Sequence, residues 1–314
     1  MSSGRLSGGA LSGTALAGLL TVTLLALTRT RSHRRAAKRA RLPTVRAARR
    51  LNRAAGTLAA AVLGDSAVEH YRGSFHNRAM LAPLVSATLS LVASTHGSSD
   101  QRARAHRARD LVYGAALLTG LIGSAYHLYN VGKRPGGFGW QNLFYGAPLG
   151  APGALLLSGA AGLLAERVRD SAPGQPPRIL GWPAGRLLAA ASALGLLLTS
   201  AEAGLLHFRG AYHDPFMYLP VSAPPLTAAV TALVALDRRA PRRRLARWLL
   251  RVTAALGLAG MGFHAIGVAR NMGGWRNWSQ NVLNGPPLPA PPGFTGVSLA
   301  GLAALALMED HPDA

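Results

Sequence analysis

The sequence predicts an all-α polytopic membrane protein with nine transmembrane helices, an N-terminal helix followed by two tandem four-helix repeats. Of the 314 residues, 49% are hydrophobic and only 15% are charged, and the apolar runs approach the roughly 20 residues that cross a bilayer as a helix. Basic residues cluster between these runs. The histidines recur at an offset of 137 residues, as with His70 and His207.

The predicted spans follow the chain in order. They lie near 9–28, 55–72, 79–95, 111–129, 147–165, 187–207, 215–236, 248–267 and 294–308. The first is not a secretory signal in this interpretation, because a single Arg precedes it, no small-residue cleavage site ends it and the densest basic run follows it. The chain then divides into an N-terminal transmembrane helix (1–28), a basic cytoplasmic linker (29–54), repeat unit 1 (55–165), a second cytoplasmic linker (166–186), repeat unit 2 (187–308) and a cytoplasmic tail (309–314).

The net charge of +22 would indicate a nucleic-acid partner in a soluble protein. Here 26 of the 34 Lys and Arg fall in 29–53, 96–109, 166–186 and 237–251. These are alternate loops, and cytoplasmic loops carry such an excess of positive charge. The distribution predicts no nucleic-acid partner, and places the N-terminus outside and the C-terminus in the cytoplasm of a bacterial-type inner membrane.

The chain has no cysteine. This excludes Cys-ligated iron–sulfur clusters, thiolate-bound zinc, haem attached through CxxCH and any disulfide. A Walker loop, an HExxH pair and a GxSxG elbow are also absent from the sequence. Histidine, carboxylate and backbone groups remain as ligands.

The internal repeat includes the most chemically capable side chains. In the first hairpin of each unit, His70, Arg72, Gly73, His76, Met80 and Pro83 recur as His207, Arg209, Gly210, His213, Met217 and Pro220, and in the second hairpin His127 recurs as His264. A two-residue insertion then changes the offset to 139, which aligns Asn142 with Asn281. Because each unit has an even number of helices, both should share one orientation and be related by a pseudo-twofold axis along the membrane normal.

Four histidines are expected to share one depth. At 1.5 Å per residue, His70, His127 and His264 lie roughly 23 Å from the inner ends of their spans, within a hydrocarbon layer about 30 Å thick, and the repeat places His207 at the same level. We expect the four to approach one another near the outer interface and to hold a cofactor or metal ion, covered by His76 and His213. The alternative is that each ring hydrogen-bonds a neighbouring carbonyl.

Charged residues accompany these histidines. Arg72 and Arg209 end helices beside a glycine, where Arg caps the last carbonyls or clamps an anionic group such as a haem propionate. Asp65 and Glu202 lie five residues before His70 and His207, about 7.5 Å deeper. They are expected either to carry protons or pair with ions in the bundle interior, or to make a structural hydrogen bond.

Three classes of function fit this pattern. The favoured one is a b-type haem subunit that passes electrons between an outer-face redox partner and quinone. The second is an ion- or proton-coupled transporter or a metal-binding membrane protein, although polar groups look sparse on the inward halves of the spans. The third is a non-catalytic anchor or assembly factor for a partner enzyme, which the lack of a recognised catalytic motif favours.

Overall fold

The computed structural model describes residues 42–172, 175–237 and 240–311, and most of them are helical. The predicted helix at 9–28 lies outside the described residues. The helices are α1 (Pro43–Arg72), α2 (Ala82–Ser99), α3 (Arg107–Gly132), α4 (Trp140–Tyr145), α5 (Gly150–Arg169), α6 (Ala184–Arg209), α7 (Leu219–Leu236), α8 (Ala240–Arg270), α9 (Trp278–Asn284) and α10 (Pro292–Asp310). Short 3-10 turns cover Arg78–Leu81, Pro215–Tyr218 and Gly274–Asn277.

The long helices form two four-helix groups. In the first bundle, α1, α2, α3 and α5 pack in a ring, and in the second bundle α6, α7, α8 and α10 do the same. The turns that carry the repeated histidines lie at one end of both bundles, which we name the histidine end. The opposite end, where α1 and α6 begin, is the arginine-rich end. The eight long helices overlap the eight spans predicted after residue 54.

Six helical segments in the described part of the chain are long and apolar enough to cross a membrane. They are Arg78–Ser99, Arg107–Gly132, Ala184–Arg209, Pro215–Leu236, Pro241–Arg270 and Pro292–Asp310. This supports a multi-pass membrane protein. Helices α1 and α5 are not among the six: α1 carries arginines and acids, and α5 is rich in glycine and alanine.

Helix α1 begins well before its predicted span, so residues 43–54 are helical and not part of a linker. Pro43 stands at its first position, where its missing N–H costs no hydrogen bond. Val45, Ala48 and Leu51 are fully buried, and Leu51 belongs to the core cluster that includes α10 residues. Packing against α10 therefore extends the helix through a segment whose arginines alone indicate a solvated loop.

The contacts between the two bundles are unequal. Helix α10 packs along α1, with the backbone of Gly296 so close that a Cβ there would lie 2.6 Å from Leu58 Cγ. Helices α5 and α6, which occupy the matching positions, touch over far fewer residues. A strict pseudo-twofold axis would make the two contacts alike. The interface between the bundles thus departs from the predicted symmetry.

Packing inside each bundle does recur at the predicted offsets. A Cβ built on Gly120 of α3 would lie 2.7 Å from the Pro152 carbonyl oxygen of α5. A Cβ on Gly257 of α8 would lie 2.8 Å from the Pro291 carbonyl oxygen just before α10. Small residues let membrane helices approach this closely. The two crossings therefore match in the repeat: Gly257 follows Gly120 by 137 residues, and Pro291 follows Pro152 by 139.

The segment predicted as the second linker contains a small hairpin. Strands β1 (Arg178–Ile179) and β2 (Trp182–Pro183) pair antiparallel, with Ile179 opposite Trp182. Leu180 and Gly181 both have positive φ, 50° and 82°, as a two-residue type I′ turn requires. The hairpin leads directly into α6 at the arginine-rich end.

Candidate functional site

The two HxRGxxH turns adopt the same strained backbone. Ser74 and Phe75 have φ of 55° and 45°, and Ala211 and Tyr212 have φ of 55° and 46°. Two consecutive non-glycine residues in the left-handed region are unusual, and such strain persists only where the surroundings enforce it. Each turn is closed by a backbone hydrogen bond to the carbonyl of the helix histidine, from Phe75 to His70 at 3.0 Å and from Tyr212 to His207 at 3.1 Å.

The residues after each turn place a carbonyl against the histidine. Asn77 accepts a hydrogen bond from the Ala79 N–H at 2.9 Å, and Asp214 accepts one from Phe216 at 3.0 Å, which starts the 3-10 turns. Those turns carry the Met80 carbonyl to 2.6 Å from His70 Nδ1 and the Met217 carbonyl to 2.8 Å from His207 Nδ1.

The other two helix histidines are held in the same way. His127 Nδ1 is hydrogen-bonded to the Pro148 carbonyl, and His264 Nδ1 lies 2.7 Å from the Pro287 carbonyl. A carbonyl oxygen only accepts hydrogen bonds, so each Nδ1 carries the proton. In the neutral ring Nε2 is then left with its lone pair. A hydrogen bond from Nδ1 to a carbonyl also orients the ring in histidines that bind metal through Nε2.

The structure brings these histidines together in two pairs, one in each bundle. The ring centroids of His207 and His264 are 6.5 Å apart, with planes inclined at 67°. His70 and His127, their counterparts in the first bundle, are near enough to interact electrostatically. Among the described residues, no three or more His, Asp or Glu side chains lie close enough to hold one metal ion. The single four-histidine cluster expected from the sequence is therefore not formed, because equal depth does not make helices of separate bundles neighbours.

His76 and His213 stay within their own turns. Both are exposed, and their Nδ1 atoms lie 3.0 Å from the Gly73 carbonyl and 2.9 Å from the Gly210 carbonyl. These contacts close the turn and give no indication of a lid over the histidine pairs.

The two repeated arginines have different partners. Arg72 donates to Glu69 at 2.7 Å, one helical turn back along α1. In the second bundle the position that matches Glu69 is Leu206, so Arg209 has no such acid one turn back. Arg209 instead lies over the ring of Tyr145, with its guanidinium carbon 5.6 Å from the ring centroid. Phe208 packs edge-on against Phe144 at 5.8 Å. Arg209 and Phe208 thus pack the second bundle against α4 at the histidine end, and at the matching place α9 lies against α1.

The two acids also differ. Glu202 accepts hydrogen bonds from the backbone N–H groups of Leu149 and Gly150, so it caps the N-terminus of α5 across the interface between the bundles. Anionic groups are stabilised at that end of a helix dipole. At the position that matches Gly150 stands Pro289, which has no N–H, so Asp65 has no equivalent cap. Asp65 instead lies within electrostatic range of Glu202.

A column of polar residues runs through the first bundle and was missed by the sequence interpretation. Tyr113 donates to Asn52 Oδ1 at 2.5 Å and lies 3.2 Å from Ser94 Oγ. One turn further along α2, Ser90 lies 2.9 Å from Ser158, which also donates to the Ala55 carbonyl at 2.8 Å. The sequence predicts few polar groups on the inward halves of the spans, which lie toward the arginine-rich end. For the first bundle this expectation is wrong.

A charged network closes the arginine-rich end of the same bundle. Arg109 donates to both oxygens of Glu166, at 2.9 and 2.8 Å, and to Asp100 at 2.8 Å. All side-chain atoms of Arg109 and Glu166 are buried. Arg169 donates to the Gly97, Asp100 and Arg102 carbonyls. The signal that could have found this network is that the positions matching Arg109, Glu166 and Arg169 in the second bundle are the apolar residues Ala246, Leu305 and Met308.

No family model, no curated protein and no solved structure matches this chain.

Proposed function

We propose that this protein is a membrane electron-transfer subunit that binds two b-type haems, one between His207 and His264 and one between His70 and His127. One observation carries the proposal: each bundle presents a pair of histidines whose Nδ1 protons are engaged by backbone carbonyls, which leaves Nε2 for a ligand.

Each site offers only two histidines, and this favours haem over a bare metal ion. A zinc site needs three or four protein ligands, whereas the porphyrin itself supplies four nitrogens, so a haem iron needs only two axial histidines. The described residues hold no larger ligand group.

The spacing of the second-bundle pair fits the same assignment. If His207 and His264 held one metal through nitrogen bonds of about 2 Å each, their ring centroids would lie roughly 6 Å apart. The observed separation is 6.5 Å. Haem, when bound, supplies one-electron redox chemistry, and the protein tunes it through the axial rings and their hydrogen bonds. The carbonyls of Met217 and Pro287 would make the bound imidazoles more electron-donating.

Arg72 and Arg209 follow the paired histidines by two residues, at the exposed margin where haem carboxylates would meet water. The forked guanidinium suits carboxylates. We infer an outer-face redox partner beside the exposed aromatic rings of this end, with quinone as the membrane partner. The chain would thus act in a bacterial-type inner membrane with its N-terminus outside.

The repeat makes the test quantitative. The purified wild-type protein should show a Soret band and a reduced-minus-oxidised spectrum equal to two haems per chain. His207→Ala and His70→Ala should each leave one haem, and the double variant none, because each removes one axial ligand from a separate site. His213→Ala is the matched control, since its ring bonds only its own turn, and it should retain both haems.

A wild-type protein purified from haem-supplied cells without a Soret band would refute the proposal and favour the anchor class. Equal haem loss in His213→Ala and His207→Ala would also contradict it, because a general loss of folding would then explain both.

A further inference from the structure

A groove separate from the histidine pairs lies between the two bundles. It has a volume of about 770 Å³ and opens to the exterior. Helix α1 forms its floor, with Gly56, Ala60 and Gly64, while Leu91 of α2 and Met261 of α8 stand on its two sides. In size it falls within the range of sites that bind small ligands.

The two ends of the groove differ in polarity. At the end nearer the arginine-rich face lie Arg53, Thr95 and Ser98, and the side chain of Arg53 is exposed. Arg49 donates to the Ser98 carbonyl at 2.6 Å, which puts a second cation beside this end. Toward the middle of the bundle the lining is apolar, and the groove ends where Gly64 meets Pro289: a Cβ on Gly64 would lie 2.8 Å from the Pro289 ring.

The length of the groove matches half a bilayer. Arg53 and Gly64 are eleven residues apart on one helix, which is roughly 16 Å. One leaflet of a hydrocarbon core about 30 Å thick measures about 15 Å. A helix such as the predicted span at 9–28 would need the full thickness. The groove therefore fits an acyl chain of one leaflet better than it fits a transmembrane helix.

The second repeat lacks this groove lining. Thr57, Ala60 and Ala61 correspond at the offset of 137 to Leu194, Leu197 and Leu198, and Arg53 corresponds to Ala190. All three leucines of the second repeat are exposed, at 58%, 47% and 61%. The small floor and the cation at its polar end are thus found together in the first repeat only.

We infer that this groove binds an anionic phospholipid of the arginine-rich leaflet, with its phosphate at Arg53 and one acyl chain along Gly56, Ala60 and Gly64. Anionic headgroups are attracted to basic residues at this surface, and the small residues of α1 give the acyl chain room along the floor of the groove. The inference does not depend on haem binding.

The test is lipid retention measured by native mass spectrometry, on protein incubated with phosphatidylglycerol or with zwitterionic phosphatidylcholine. Wild type should retain one phosphatidylglycerol in preference to phosphatidylcholine. Arg53→Ala should weaken phosphatidylglycerol binding about fivefold and abolish the preference. Ala60→Leu and Thr57→Leu, which introduce large side chains into the groove, should lower the retention of both lipids at least as much.

Leu197→Ala, at the position that matches Ala60, is the control and should change nothing. Gel filtration and helicity by circular dichroism establish that each variant is folded, and Thr57→Leu serves if Ala60→Leu is not. Retention in both leucine variants equal to that of wild type would overturn the inference. So would an efficient disulfide between Ala60→Cys and Leu20→Cys in this cysteine-free chain, because the N-terminal segment would then fill the groove.

Discussion

The two bundles share their helix order and their histidine turns, but their arginine-rich halves have opposite chemistry. In the first bundle the buried positions carry Arg109, Tyr113, Glu166, Arg169 and Asn52. The matching buried positions of the second bundle carry Ala246, Leu250, Leu305, Met308 and Ala189. Because an apolar interior supports the second bundle, the charges of the first are not required to assemble four helices.

The connecting loops explain what the charges do. The α7–α8 connection at 237–239 is short, whereas α2 and α3 are joined by residues 100–106. A longer loop at a membrane surface has more backbone groups to satisfy. Glu166 accepts from the His106 N–H at 2.8 Å, and Arg169 donates to the Asp100 and Arg102 carbonyls at 2.8 and 3.0 Å. The buried charges therefore supply hydrogen-bond partners for the backbone of the α2–α3 loop.

The largest effect is expected when a charged residue of the first bundle is replaced by the apolar residue found at the matching position of the second bundle. Glu166→Leu removes the carboxylate that Arg109 and Arg169 share and leaves only Asp100 beside Arg109, which should cost about 3–5 kcal/mol of stability. The free energy of unfolding in mixed detergent micelles measures it. The variant Arg109→Ala, Glu166→Leu, Arg169→Met, combined with Asp100→Asn because Arg109 also pairs with Asp100, removes the four charges together and should recover much of that loss. If the single and combined variants were equally destabilised, loss of packing and not unpaired charge would be the cause.

Hydropathy predicted the six described helical segments that are long and apolar enough to cross a membrane, because a bilayer imposes a length of apolar chain on each span. Spacing predicted the repeated histidine turns, since their hydrogen bonds are local in sequence. The sequence interpretation was wrong about one four-histidine cluster: helical rise sets the depth of His70 and His207, whereas their neighbours depend on which helices pack together. The order of helices around each ring is a tertiary property that periodicity alone does not encode.

The buried network was missed for a different reason. Near the end of a span, Arg109 and Arg169 look like ordinary basic residues of a cytoplasmic loop, and hydropathy cannot tell a solvated arginine from one buried against Glu166. Comparison of the two repeats contains the missing signal, because a matched position that is Arg in one copy and Ala in the other, as at Arg109 and Ala246, points to a role beyond helix packing.

A smaller effect is expected from the polar column. Tyr113→Phe removes the hydroxyl that joins Asn52 and Ser94 and should cost about 0.6–1.7 kcal/mol, the range of hydrogen bonds between membrane helices. In the second bundle Thr253→Val removes a single bond, the 2.8 Å contact with Thr227, and is the matched control. Because Tyr113 makes two such bonds and Thr253 one, a loss in Tyr113→Phe more than twice that in Thr253→Val would indicate a cooperative network. No loss in either variant would contradict a stabilising role for these bonds.

The smallest expected effect is the pH dependence that the α2–α3 loop of the first bundle contributes. Burial, reinforced by Arg109 and opposed by Glu166, lowers the pKa of His106 from its ordinary 6.5. Burial alone would raise the pKa of Asp100, but hydrogen bonds from the Arg102 N–H and from Arg109 outweigh it and hold that pKa below 3.8.

Both shifts make acid destabilising. The unfolded chain takes up a proton at His106 first, so stability is present above pH 6.5 and falls as the pH drops toward the lower pKa of the folded state. The Asp100 contribution is lost only at lower pH, below about 4. Because the His106 side chain is only half-buried, we expect less than about 1 kcal/mol from it. Unfolding free energies between pH 7.5 and 5 should decline less in His106→Asn than in wild type, while Asp100→Asn should keep the wild-type slope over that interval. Equal slopes in wild type and His106→Asn would show that this loop does not sense pH.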